Sequence, residues 1–177
     1  MLRAITRLAP ECGKGVSTSS ACTHEHEQDD MNWTDNLIDS PEGIAAMLAK
    51  VRRIAVLGIK TEAQRSQPAF YVPEYLVEAG LEVVPVPVYY PDVQEILGRR
   101  VYRRLTDIPG PIDLVDVFRR ASDLPQHVDD LLAARPTAVW LQLGIRDDAV
   151  AERLARAGIQ VVQDRCLMVD HRRFVRR

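Results

Sequence analysis

The chain has 177 residues, 46% hydrophobic and 27% charged, with 23 basic side chains against 25 acidic ones and a formal net charge of −2. That length holds one domain with a substantial core and is short for two. The near-neutral balance gives no global field to attract nucleic acid or an anionic membrane, and no apolar run approaches the roughly 20 residues a membrane span requires.

Residues 1–30 differ from the rest. They are rich in Ser, Thr and Gly, lack apolar periodicity, and read as a poorly ordered leader before a domain over 31–177. Arg3 and Arg7 lie among Leu2, Ile5 and Leu8 in the manner of a targeting peptide, but acidic Glu25, Glu27, Asp29 and Asp30 follow. Cys22, His24 and His26 with Cys12 offer metal-binding residue types but no fixed scaffold, so no metal site is expected. An odd cysteine count (Cys12, Cys22, Cys166) argues against a disulfide framework and for a reducing compartment, the cytoplasm.

From Asn32 onward strands and helices alternate. Ser40-Pro41-Glu42 reads as an N-cap with proline at the first helical position, and Ile44, Met47, Leu48 and Val51 give the helix its apolar spacing. Arg53 to Gly58 is a nearly continuous apolar run, as a parallel strand buried on both faces reads. A helix over 68–79, with Phe70, Tyr71, Tyr75 and Leu76 inward, stops at Gly80; a second strand covers 81–86. A brief helix over 93–97 and a third strand at Val101-Tyr102 are expected next. Then come a strand over 112–118, a helix over 123–134, a strand over 137–141, a helix over 147–157 and a sixth strand over 159–162. The basic residues His171, Arg172, Arg173, Arg176 and Arg177 read as a solvated tail.

This order implies an α/β fold: a single Rossmann-type domain with a mostly parallel sheet, helices on both faces and strand order 3-2-1-4-5-6. Ligands of such sheets sit outside the carboxyl ends of the strands. After the first strand, Gly58 is followed by Ile59, Lys60, Arg65 and Ser66 just before a helix start, a plausible phosphate cradle, with an ordinary solvated loop as the alternative. The further glycines of a dinucleotide site are missing, and the second strand ends Pro85-Val86-Pro87 without the carboxylate that holds a nicotinamide cofactor's ribose. These prolines form a stiff apolar edge suited to an adenine face, or simply end the strand. The later strands end in Phe118-Arg119-Arg120, in Trp140-Leu141-Gln142-Leu143-Gly144 with Trp140 assigned to the core, and in Asp164-Arg165-Cys166.

Together Ile54 to Gly58, Tyr71 to Leu76, Asp113 to Arg119, Trp140 to Gly144 and Asp164 to Val169 resemble the small stand-alone CoA-binding proteins. That family is related to the CoA-binding domain of the succinyl-CoA synthetase α subunit. The resemblance covers about residues 36–174. It implies a coenzyme A or acyl-CoA ligand in a cleft lined by Gly58, Ile59, Lys60, Arg65, Ser66, Pro85, Val86, Pro87, Phe118, Arg119, Gln142, Leu143 and Gly144. Two departures stand out: the first loop is about two residues longer, with Gln67 where arginine commonly precedes the proline, and Pro85-Val86-Pro87-Val88 replaces Pro-Val-Asn-Pro. The synthetase's second domain, with its phosphorylated histidine, has no counterpart here.

Three functions follow in order of preference. The first is a CoA-binding carrier, sensor or regulatory module without catalysis, because no convincing nucleophile–base pair or metal cluster stands at the strand ends. The second is a small thioester-handling enzyme using Cys166, Asp164 or His171. The third is an NAD-type Rossmann enzyme. A homodimer through an edge strand or helix face is a further possibility.

Overall fold

The computed structural model describes residues 32–175. Cys12, Cys22, His24, His26 and the rest of the leader lie outside the described residues, as do Arg176 and Arg177. In chain order the strands are β1 (Arg53–Leu57), β2 (Glu82–Val86), β3 (Glu95–Ile96), β4 (Arg99–Arg100), β5 (Leu114–Val117), β6 (Ala138–Leu141) and β7 (Gln160–Val162). The helices are α1 (Pro41–Leu48), α2 (Pro68–Glu78), α3 (Val128–Ala134), α4 (Asp148–Arg156) and α5 (Leu167–Phe174).

Five strands form one parallel sheet in the order β2-β1-β5-β6-β7. Their apolar runs bury both faces. Ile54, Val56, Val83, Leu114, Ala138, Trp140 and Val162 meet α1, α2 and α5 on one side, while Ala55, Leu57, Val84, Val86, Val115, Val117, Val139, Leu141 and Val161 meet α3 and α4 on the other. Trp140 is fully buried, as expected, and its Nε1 donates to Arg165 O at 2.7 Å. Helix starts follow local chemistry. Ser40 Oγ accepts from Gly43 N at 3.1 Å ahead of α1, and Asp147 Oδ1 accepts from Val150 N at 3.1 Å ahead of α4.

Several expectations need correction. Val101-Tyr102 is not a third sheet strand. Tyr102 N makes one bond to Pro85 O (2.9 Å), but Pro85 has no N–H to return on that outer side, so the ladder stops. Residues 93–97 are not helical. Glu95 pairs with Arg100 and Ile96 with Arg99 across a two-residue turn in which Leu97 and Gly98 both have positive φ (56° and 64°). Leucine is unusual in such a turn, and its apolar spacing from Val93 imitates a helix. The helix expected over 123–134 begins as a 3₁₀ turn, Ala121–His127, containing Pro125, before α3 proper. Tyr71 points outward from α2, and Val72 takes the buried place. His171, Arg172 and Arg173 belong to α5 rather than to a tail, and His171 is buried.

Both edges of the sheet are blunted. Tyr102 covers β2, and Ile38 N donates to Val161 O (2.8 Å) beside β7, where Leu37 bridges Val161.

Candidate functional site

β1 and β5 are neighbours, but α2 after the first and α3 after the second pass to opposite faces. In such sheets this switch point is where ligands bind. Gly58 sits at that point. Its N–H donates to Val86 O (2.8 Å), its φ is +88°, and a Cβ would lie 2.5 Å from Phe118 O. Only glycine satisfies both the left-handed backbone and this contact.

The loop after Gly58 folds onto α2 through Lys60 N, which donates to Ala69 O at 3.0 Å. Lys60 Nζ stands 5.0 Å from the Tyr89 ring centroid and 5.6 Å from that of Tyr90. Arg65 and Ser66 are exposed beside the start of α2, which no side chain caps. Arg65 reaches Glu74 only at 3.8 Å, so its charge is largely uncommitted. Phe118 is half-buried, and Arg119 is 8% exposed. Gly144 N donates to Asp164 Oδ1 (2.6 Å), and neighbouring Leu143 is 70% exposed.

Of the residues expected at the site, Gly58, Lys60, Phe118, Arg119, Leu143 and Gly144 thus come to one edge of the sheet, with Arg65 and Ser66 beside the start of α2. Ile59, Pro85, Val86, Pro87 and Gln142 are there too, with their side chains buried in the protein. Gln142 is occupied: its Nε2 donates to both carboxyl oxygens of Asp116 (2.8 and 3.1 Å), and its Oε1 accepts from Leu167 N at 3.4 Å. Asp116 itself is wholly buried between Val56 and Trp140. Burial pushes its carboxyl up to about 8 against the pull of Gln142, so the acid is mostly protonated at neutral pH. Its signal was a carboxylate inside the apolar run Leu114-Val115-Asp116-Val117.

Sequence reasoning missed the segment after β2. Tyr90 adopts φ +67°, and its hydroxyl donates to Gln64 Oε1 at 3.3 Å. Leu97 N donates to Glu62 Oε1 at 2.8 Å. Arg103 donates to the carbonyls of Tyr90 (3.0 Å), Pro91 (2.8 Å) and Val93. This segment and the loop after β1 therefore clasp each other above the sheet. Tyr89, 55% exposed, places its ring 5.4 Å from the Arg119 guanidinium. That guanidinium, by hydrogen bonding and charge, holds the Tyr89 phenol below its usual value. Only the tyrosine pair and the run of prolines hinted at this in the sequence.

A cavity of about 290 Å³ opens beneath this segment, lined by Leu57, Pro87, Tyr89, Arg103, His127 and Asp130 among others. Burial, reinforced by Arg119, lowers the His127 pKa and favours the neutral ring. The exposed large apolar side chains among the described residues are Tyr71, Val88, Tyr89, Leu143 and Val169. Each follows a strand's carboxyl end or stands in the opening turn of α2 or α5.

Residues 52–172 match the family model described as CoA binding domain. The uncharacterized protein YneT of Bacillus subtilis (strain 168) is 33% identical over 128 residues, 72% of this chain and 91% of that protein. The chain belongs to the CoA-binding domain family. A Thermus thermophilus structure described as cell-free ID.343 is 43% identical with a TM-score of 0.70, covering 77% of this chain and 99% of that one. A hypothetical protein from Pyrococcus horikoshii OT3 is 29% identical with a TM-score of 0.69, covering 77% and 93%.

In this CoA-binding domain Cys166 is half-buried just before α5, at the carboxyl edge. His171 lies about 7 Å further along the helix axis, and its Nδ1 is engaged by Tyr75 OH at 2.9 Å. The pair is not brought together. A larger cavity, about 640 Å³, opens at the amino edge between the ends of α2 and α5. Among its polar groups Tyr75 holds His171, Arg172 lies 4.5 Å over the Tyr75 ring, and Arg52 donates to Ala49 O and Val51 O. No helix among the described residues is long and apolar enough to cross a membrane.

Proposed function

We propose that the protein is a stand-alone CoA carrier or sensor that holds coenzyme A or an acyl-CoA along the carboxyl edge of its sheet and catalyses nothing by itself. Family membership supplies the ligand. The observation that supports this placement is the presence, at that edge, of Gly58 close against Phe118 O, the uncapped start of α2 with Lys60 and Arg65, and exposed apolar side chains. In this reading the pyrophosphate lies against residues 59–66, and the adenine against Pro85, Val86 and Pro87. The pantetheine arm crosses Phe118, Gln142, Leu143 and Gly144 toward Cys166. Exposed Leu143 and Val169 give an acyl chain an apolar path.

The domain over 31–177 acts alone in the cytoplasm in this account, without nucleic acid, metal or membrane. The blunted sheet edges leave a helix face as the surface for any homodimer.

Calorimetric titration of the full chain with CoA, acetyl-CoA and NAD tests the reading. Single-site binding of both CoA species, with no response to NAD, is expected. Absence of heat and of competition with any CoA species at millimolar concentration contradicts it.

A further inference from the structure

The buried side-chain nitrogens without a hydrogen-bond partner among the described residues are Arg99 Nε, Arg119 Nε and His127 Nε2. Such groups are rare in folded proteins, because an unmet buried donor forfeits the hydrogen bond it had in water. Arg119 Nη2 is already bound to Asp123 at 2.8 Å, which leaves the Nε side of the guanidinium open. His127 belongs to the wall of the 290 Å³ cavity, and its ring feels the Arg119 charge. Tyr89 lines the same cavity as His127 and lies against the Arg119 guanidinium. It is 55% exposed, with its ring 5.4 Å from the Arg119 guanidinium and 5.0 Å from Lys60 Nζ. The next residue, Tyr90, is already in a strained left-handed conformation, while Arg103 fixes the backbone beyond it.

The nearby acids already have partners within the protein. Asp123 is consumed by Arg119, and Asp130 by Leu105 N (2.9 Å), Thr106 Oγ1 (3.2 Å) and Arg104 (3.4 Å). The cavity adjoins Pro87 on the α3 side of the sheet, away from the start of α2. A ligand's second anionic group would meet it there.

We propose that Arg119 and His127 form a phosphomonoester site, which takes the 3′-phosphate of the CoA ribose when Tyr89 swings off the guanidinium. A phosphomonoester presents three terminal oxygens and up to two charges, matching an Arg edge and a neutral His donor. This inference rests on the CoA reading, and dephospho-CoA separates the two. It keeps the pyrophosphate and pantetheine and lacks only the 3′-phosphate.

Calorimetry with CoA, dephospho-CoA and adenosine 3′,5′-bisphosphate is the experiment, on the wild type, His127→Gln and Arg119→Lys. Wild type is expected to bind CoA at least tenfold more tightly than dephospho-CoA, and the bisphosphate to compete. In either variant the preference should fall below threefold, and in His127→Gln the affinity for dephospho-CoA should stay unchanged. His127 is half-buried, so its variant still reports should Arg119→Lys fail to fold. Equal wild-type affinity for CoA and dephospho-CoA overturns this site and leaves the CoA reading intact, as does a preference that survives in both variants. Failure of all three compounds to bind overturns both.

Discussion

The two ends of the sheet are built differently. At the amino edge, Asp113 Oδ2 accepts from Arg52 N and Arg53 N at 2.8 Å each, and Arg53 reaches Glu82 (2.8 Å), Pro109 O (2.6 Å) and Pro111 O (3.0 Å). Every one of those groups has a partner within the protein. At the carboxyl edge, Arg119 and His127 keep an unmet nitrogen, Tyr90 and Leu97 hold positive φ, and apolar side chains face solvent. Strain and unmet polar groups persist where the surrounding fold supports them, commonly where a ligand binds. The amino edge is a staple, and the carboxyl edge is the proposed receiving surface.

The comparison can be broken most forcefully at Gly58. Gly58→Val forces a β-branched residue to positive φ and a Cβ against Phe118 O. A loss of about 2–4 kcal/mol is expected, read as a lower urea midpoint, together with weakened CoA binding. At the other end, Asp113→Ala strands two backbone N–H groups and should cost about 1–3 kcal/mol. CoA titration of that variant should match wild type once the protein is folded. A binding defect there would erase the contrast between the edges.

Asp116 gives a pH test. Folded, its carboxyl titrates at about 8 instead of the ordinary 3.8, so between those values the folded chain binds a proton that the unfolded chain has released. This group therefore lowers stability as pH rises through that window and has no such effect below it. Asp116→Asn removes the dependence. Its stability relative to wild type should rise from pH 5 to pH 8 by about 1.4 kcal/mol per unit at most, measured by urea unfolding at each pH. An advantage that is flat with pH would mean the carboxyl is ionised throughout. The smallest effect is expected from Lys60→Ala: roughly three- to tenfold weaker CoA binding at unchanged unfolding midpoint.

Much of this was legible in the residues. Continuous apolar runs at Ile54–Leu57 and Val139–Leu141 can be satisfied only by strands covered on both faces, which fixed the fold class. Ser40-Pro41 marked a helix start by its capping chemistry. The ladder's limit was less visible, because it depends on which way Pro85 faces: the missing N–H matters only on the outer side of β2. Leu97 misled because its apolar spacing hides a turn that needs positive φ. At the site, Gly58 and Arg119 could be found from their place after strands. Tyr89, Arg103 and His127 could not, since they meet only when the segment after β2 folds back over the sheet. Asp116 was readable as an oddity in an apolar run, but its proton depends on burial that no linear pattern states.

The central claim, that ligand enters at the carboxyl edge and not at the larger amino-edge cavity, is tested most directly by following backbone amide resonances while CoA is added. The account predicts shifts at Gly58, Lys60, Tyr89, Arg119 and Gly144, with Arg52, Gly80 and His171 unmoved. Shifts confined to Arg52, Gly80 and His171 would contradict it.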